Sequence, residues 1–126
     1  MGPKRARPLV LDAGALIAVD RGDRRVVRLL ELAEDVHVPA AALAQAWRNP
    51  ARQVRLVRVA SAEDIVMHPL DAAVARAAGQ LCAATATSDV VAASVVLVTG
   101  IVDGVAVTSD PDDLRRLDPG IDVVEC

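Results

Sequence analysis

The chain has 126 residues, 14 basic and 17 acidic side chains and a net charge of −3, which is the size of one domain and offers a polyanion no bulk attraction. Apolar residues make up 53% and aromatics 1%, Trp47 standing alone without Phe or Tyr; this excludes a disordered chain and the aromatic stacking surfaces of RRM and OB modules. Cys82 and Cys126 supply neither a disulfide framework nor a metal cluster, and no apolar run reaches membrane-spanning length, so a cytoplasmic protein without membrane partners is expected.

Residues 1–7 read as a basic N-terminal extension and 8–126 as a single domain. The apolar run at 8–11 predicts a buried strand, and Asp12 at its end breaks any secretory h-region. Residues 14–20 begin a helix. Asp23 caps a second, with Val26, Val27, Leu29, Leu30 and Ala33 at helical spacing. A strand at 36–38 closes at Pro39 and a helix at 40–48 follows. Asn49-Pro50 supplies a cap and first-turn proline for a helix at 51–60, whose Val54 and Val57 are expected to face inward. A strand at 65–67, an Ala-rich helix at 71–84, an apolar helix from Ser88 to about 98, a strand at 105–108, a short helix at 111–117 and a strand at 121–124 complete the order.

Strands alternating with helices predict an α/β fold of three layers, a mostly parallel sheet between helices. The strands are continuously apolar, as in a sheet covered on both faces. Ligands of such sheets bind beyond the carboxyl ends of the strands at a switch point. Two strands here end in an acid, one at Asp12 and one at Asp110. Carboxylates delivered to one sheet edge repel unless a proton or cation lies between them, and hard oxygen donors of this kind suit Mg²⁺ or Mn²⁺. The competing reading makes each a helix cap, with Asp112 and Asp113 as first-turn acids behind Asp110 and Asp89 as the cap of the long apolar helix.

Four segments, LVLDAGALIAVD, VPAAALAQAWR, TSDVVAASVVLV and VAVTSDPDDLRRL, together resemble the motifs of the PIN domain, in particular the VapC-type toxin ribonucleases of actinobacteria. The resemblance runs from residue 8 to the C-terminus. It implies a Mg²⁺- or Mn²⁺-dependent endoribonuclease acting on structured RNA such as tRNA or rRNA, usually dimeric and often paired with an inhibitory antitoxin. Carried over by position, Asp12 matches the first metal-binding acid, Asp110 the acid after the late strand, and Asp113 a further acid of that last motif. The family's second acid falls at Gln45, whose neutral carbonyl still binds a metal or its water. Its third falls at Ala92, with Asp89 one helical turn earlier as a partial substitute. The resemblance therefore implies a site reduced to Asp12, Asp110, Asp89 and Asp113 with Gln45, and activity that is impaired or lost. A catalytically silent RNA- or antitoxin-binding module is the alternative, and a plain interaction domain a third reading.

Between Val36 and Ala62 there are four arginines and no acid. Arg48, Arg52, Arg55 and Arg58, spaced four, three and three apart, are expected along one side of a helix, either as an RNA-backbone contact or as a solvated face. Arg24, Arg25 and Arg28 alternate with acids and read as solvated. His37, His68 and Trp47 read as structural. The apolar helices at 71–84 and 88–98 suggest a homodimer.

Overall fold

The structure is a computed structural model that describes residues 6–126, so only Ala6 and Arg7 of the expected basic extension fall within it. The elements are β1 (Leu9–Leu11), α1 (Ala13–Asp20), α2 (Arg24–Leu32), β2 (Val36–Pro39), α3 (Ala40–Ala46), α4 (Val54–Ser61), β3 (Ile65–His68), α5 (Ala72–Ala84), α6 (Val90–Val102), β4 (Val105–Thr108), α7 (Pro111–Leu117) and β5 (Val123–Glu125). All five strands are parallel, in the order β3-β2-β1-β4-β5. The α/β reading with a parallel central sheet is therefore the architecture found.

Aspartate side chains start four of the helices. Asp12, Asp23, Asp71 and Asp89 accept backbone N–H groups of Ala15, Val26, Val74 and Ala92, which satisfies donors that the first helical turn leaves unpaired. Val10, Leu11, Val38 and Val107 of the central strands, with Leu16, Val26, Leu56 and Val95 from the helices, are fully buried. Helix α6 is buried on most sides, and its Ser94 and Thr99 hydroxyls are satisfied by donating to the Val91 and Val95 carbonyls. Among the described residues no helix is long and apolar enough to cross a membrane.

The chain winds outward from β1 through β2 to β3, then returns to β4 and β5 on the other side of β1. Helix α1 packs on α3 and α4, α6 packs on α5 and α7, and α3 also meets α6. The reversal makes the gap between β1 and β4 the switch point of the sheet.

The helix expected at 51–60 begins only at Val54. Residues 49–53 form turns instead, with Arg52 N–H donating to the Asn49 carbonyl and Gln53 N–H to the Pro50 carbonyl. The Gln53 side chain fixes this loop: its Oε1 accepts the Arg48 and Asn49 amides at 2.8 and 2.9 Å, and its Nε2 donates to the Ala46 carbonyl at 2.9 Å. Arg48 and Arg52 therefore lie before the helix, and only Arg55 and Arg58 belong to α4. The inward face is Leu56 and Val59, while Val54 is 53% exposed.

His37 and His68, on adjacent strands, are in contact: His37 Nδ1 and His68 Nε2 lie 2.7 Å apart, and His37 Nε2 lies 2.8 Å from Asp35 Oδ1. Burial and the neighbouring His37 ring lower the His68 pKa below the ordinary histidine value.

Truncating the inward and outward faces of α4 separates them energetically. Leu56→Ala is expected to cost about 2–5 kcal/mol, and Val54→Ala no more than about 0.5 kcal/mol, read as midpoint shifts in urea unfolding. Equal losses would contradict this placement of α4.

Candidate active site

The carboxyl ends of β1 and β4 meet at the switch point. Leu11 is in register with Val107, and Asp12 N–H donates to the Val107 carbonyl at 3.2 Å, so Asp12 leaves the sheet level with Thr108. Thr108 is fully buried beside the Asp12 carboxyl, and its Oγ1 accepts the Asp110 N–H at 2.9 Å. The approach of α1 to this edge requires Gly14, because a Cβ there would overlap the Ser109 side chain. Sequence and fold thus deliver Asp12 and Asp110 to one place.

A cleft of about 630 Å³ opens above them. Asp12, Gln45, Asp89, Ala92, Asp110 and Asp113 all line it, together with Arg48. Arg52, Arg55 and Arg58 are exposed elsewhere, and Arg55 Nη1 donates to the Asp20 carbonyl at 3.2 Å. The arginine row expected from spacing is therefore not one face of one helix, because the Gln53-fastened loop separates Arg48 and Arg52 from α4. Arg21, Asp20 and Gln53 also line the cleft. Sequence reading did not single them out, and only the Asp20-Arg21-Gly22 helix end gave a local signal, one that marks a boundary rather than a site.

The acids differ in how they are held. Asp12 is 9% exposed, and its Oδ1 accepts the Ala15 N–H at 2.8 Å. Burial pushes its pKa up; the neighbouring Thr108 hydroxyl and the Ala15 N–H oppose this and the charge of Asp110 adds to it. Asp89 accepts the Ala92 N–H at 3.0 Å, so its carboxylate serves as the cap of α6 while lining the cleft. Asp110 occupies the cap position of α7 but makes no side-chain capping bond. Its pKa is raised, chiefly by contact with Asp113 and that group's charge, with burial, Asp112 and Asp89 adding to the effect. No arginine, lysine or histidine forms an ion pair with Asp12, Asp89, Asp110 or Asp113 among the described residues.

This donor set fits a hydrated hard cation. Mg²⁺ keeps most of its waters and takes one or two carboxylates, and uncompensated carboxylates lie together at this edge. It does not fit a cage built wholly from protein: among the described residues no three Asp, Glu, His or Cys side chains converge to hold one ion. Asp12, Asp89, Asp110 and Asp113 therefore share a cleft without forming one four-ligand group.

No protein-family model matches the chain, and no curated protein sequence matches it. Solved structures do. VapC20 of Mycobacterium tuberculosis, a Sarcin-Ricin loop cleaving toxin, superposes with a TM-score of 0.75 at 15% identity, over 94% of this chain and 99% of that one. The chain has the PIN-type fold. DNA-bound VapBC of Salmonella typhimurium gives a TM-score of 0.70 at 16% identity, over 94% and 98% of the two chains. FitAcB of Neisseria gonorrhoeae gives 0.62 at 17%, over 93% and 96%. At such identities the likeness is one of fold, and it spans almost the entire chain. Within the PIN-type fold of this chain, Gln45 and Ala92 stand on the cleft wall with Asp12 and Asp110.

The pKa directions fix the sign of a stability effect. A carboxyl whose folded pKa lies above its unfolded value stabilises the fold fully below the unfolded pKa, and that contribution is lost as pH rises through the folded pKa. Asp12→Asn keeps a capping oxygen and removes the buried charge, so it should raise Tm at pH 7 without divalent ions. The gain should shrink toward zero as pH falls through the ordinary carboxylate range. Thermal melts across that range check this; a variant less stable at neutral pH would contradict it.

Proposed function

We propose that the chain is a divalent-metal-dependent endoribonuclease of the PIN toxin type, with catalysis weakened by Gln45 and Ala92. The observation that carries this reading is the meeting of Asp12 and Asp110 at the switch point of a PIN-type sheet, in a cleft without a cationic partner for either. The likeness to VapC20, a Sarcin-Ricin loop cleaving toxin, supports the substrate class, tRNA or rRNA. An antitoxin partner, a homodimer and a cytoplasmic setting belong to the same reading.

Asp12 and Asp110 are the residues to hold Mg²⁺ or Mn²⁺, with Asp113 and Asp89 beside them. When bound, such an ion lowers the pKa of a water and stabilises charge on a phosphate. The chain's own groups do the rest. Thr108 holds the Asp110 backbone through its hydroxyl beside the Asp12 carboxyl. Asp110, free of capping duty, is available to accept a proton or a cation. Gln45 offers a neutral amide on the cleft wall, and Arg48 a guanidinium for the RNA backbone; Arg52, Arg55 and Arg58 extend that basic surface outside the cleft.

A second reading, a silent binding module, draws support from one arrangement. Asp89 is engaged as a cap, the position one turn further on is the apolar Ala92, and among the described residues no three acids converge.

Cleavage of tRNA and rRNA fragments with Mn²⁺ separates the two. Ala92→Asp is expected to raise cleavage by about 10- to 100-fold, the scale on which metal-site groups act, and adding Asp12→Asn should abolish it. If neither the chain nor Ala92→Asp cuts any RNA, the nuclease reading fails and the binding module stands.

A further inference from the structure

Two arginines, Arg21 and Arg48, line the cleft beside its acids, and the chemistry above uses only Arg48. Asp12 stands at the start of α1 and Arg21 caps its end. At about 1.5 Å per residue their backbones are roughly 13 Å apart. Arg48, just past the end of α3, lines the same cleft.

The backbone beneath both arginines is fastened. Asp20 Oδ1 accepts the Leu56 N–H at 3.2 Å and the Asp20 carbonyl accepts from Arg55 at 3.2 Å, which bolts the last turn of α1 to α4. Gly22, at φ +73°, turns the chain directly afterwards, and a Cβ there would lie 3.3 Å from the Arg55 guanidinium carbon. Gln53 holds the Arg48 amide, and Arg48 Nη1 donates to the Ala44 and Trp47 carbonyls at 3.1 and 2.7 Å. Neither Arg21 nor Arg48 forms an ion pair with an acid among the described residues. Guanidinium groups without carboxylate partners, set on fixed backbone, are suited to bidentate phosphate contact.

We propose that Arg21 and Arg48 form a phosphate-positioning pair that holds a single-stranded RNA segment roughly two to four nucleotides from the scissile phosphate. For Arg21 the spacing follows from the 13 Å span: stacked nucleotides advance about 3.4 Å each, so four cover it, and an extended strand needs fewer; Arg48 lines the same cleft. The proposal rests on the nuclease reading and assigns register to it. Arg48 was expected from the sequence as part of a helical row; its partner in the cleft is instead Arg21, from a different element.

The test is fluorescence anisotropy on labelled oligouridines, from dinucleotide to octanucleotide, with Ca²⁺ replacing Mg²⁺ so that no cleavage intervenes. Affinity should rise with length to about the pentanucleotide and then level off. Arg21→Ala and Arg48→Ala should each weaken the longer oligonucleotides about fivefold. Each should also flatten the slope of log K against log salt by about 0.7, the value for one single-strand phosphate contact. Both should leave the dinucleotide unchanged. Arg21→Lys should keep the slope, and Arg76→Ala, exposed on α5 and outside the cleft, should alter nothing. If the unaltered chain binds and the two alanine variants match it in slope and affinity, the pair is overturned while the nuclease reading stands. If the unaltered chain binds no oligonucleotide at low salt, both fall together.

Discussion

Confinement of acids at the gap between β1 and β4, where burial and neighbouring carboxylates disfavour their charged forms, is the constraint around which the molecule is arranged. The sheet reverses direction there, so the residues that follow the two central strands must lie side by side. An acid follows each strand, and burial chiefly raises the pKa of Asp12 while contact with Asp113 chiefly raises that of Asp110. Hydrophobic packing holds the groups where their charges are unfavourable. Fully buried Val10, Leu11 and Val107 fix the strands, and Gly14 admits α1 close enough to Ser109 for Asp12 to remain under cover. A proton or a divalent cation relieves that arrangement, and local strain of this kind is characteristic of functional sites.

The same acids also build the scaffold. Asp12 and Asp89 cap the helices that carry them into the cleft, and Asp20 secures α4 through Leu56. Asp110 is without such a bond. Capping and metal binding are thus not exclusive readings of a strand-end aspartate. A carboxylate has two oxygens, and the Asp12 oxygen that accepts the Ala15 amide leaves the other for the cleft. For Asp89 the geometry is less favourable, since it stands one helical turn before Ala92, where the resemblance places the family's acid.

What was legible in the sequence was what local chemistry writes. Continuous apolar strands, aspartate caps and the Pro111 helix start gave the element order, and strand-end acids gave the edge that gathers Asp12 and Asp110. What was not legible depends on distant partners. Asn49-Pro50 is a sound local start signal, yet α4 begins later because the Gln53 side chain closes the loop onto Ala46. The contact of His37 with His68 depends on the register of β2 against β3, which no short motif encodes. Arg21 enters the cleft only because α1 packs on α3 and α4. Arg52, Arg55 and Arg58 have a spacing that suggested one row, but tertiary closure divides it.

The claim on which the account depends is that the switch-point acids share a cation. Its most direct measurement is the melting temperature as a function of Mn²⁺ concentration, compared with Asp110→Asn. At a hundred times Kd a bound ion stabilises by about 2.7 kcal/mol, which for a chain of this size is roughly 10 °C. The account predicts that Tm climbs with the logarithm of Mn²⁺ concentration in the unaltered chain and that the climb is lost or strongly reduced in Asp110→Asn. Melting curves of the unaltered chain that superimpose with and without millimolar Mn²⁺ would contradict it.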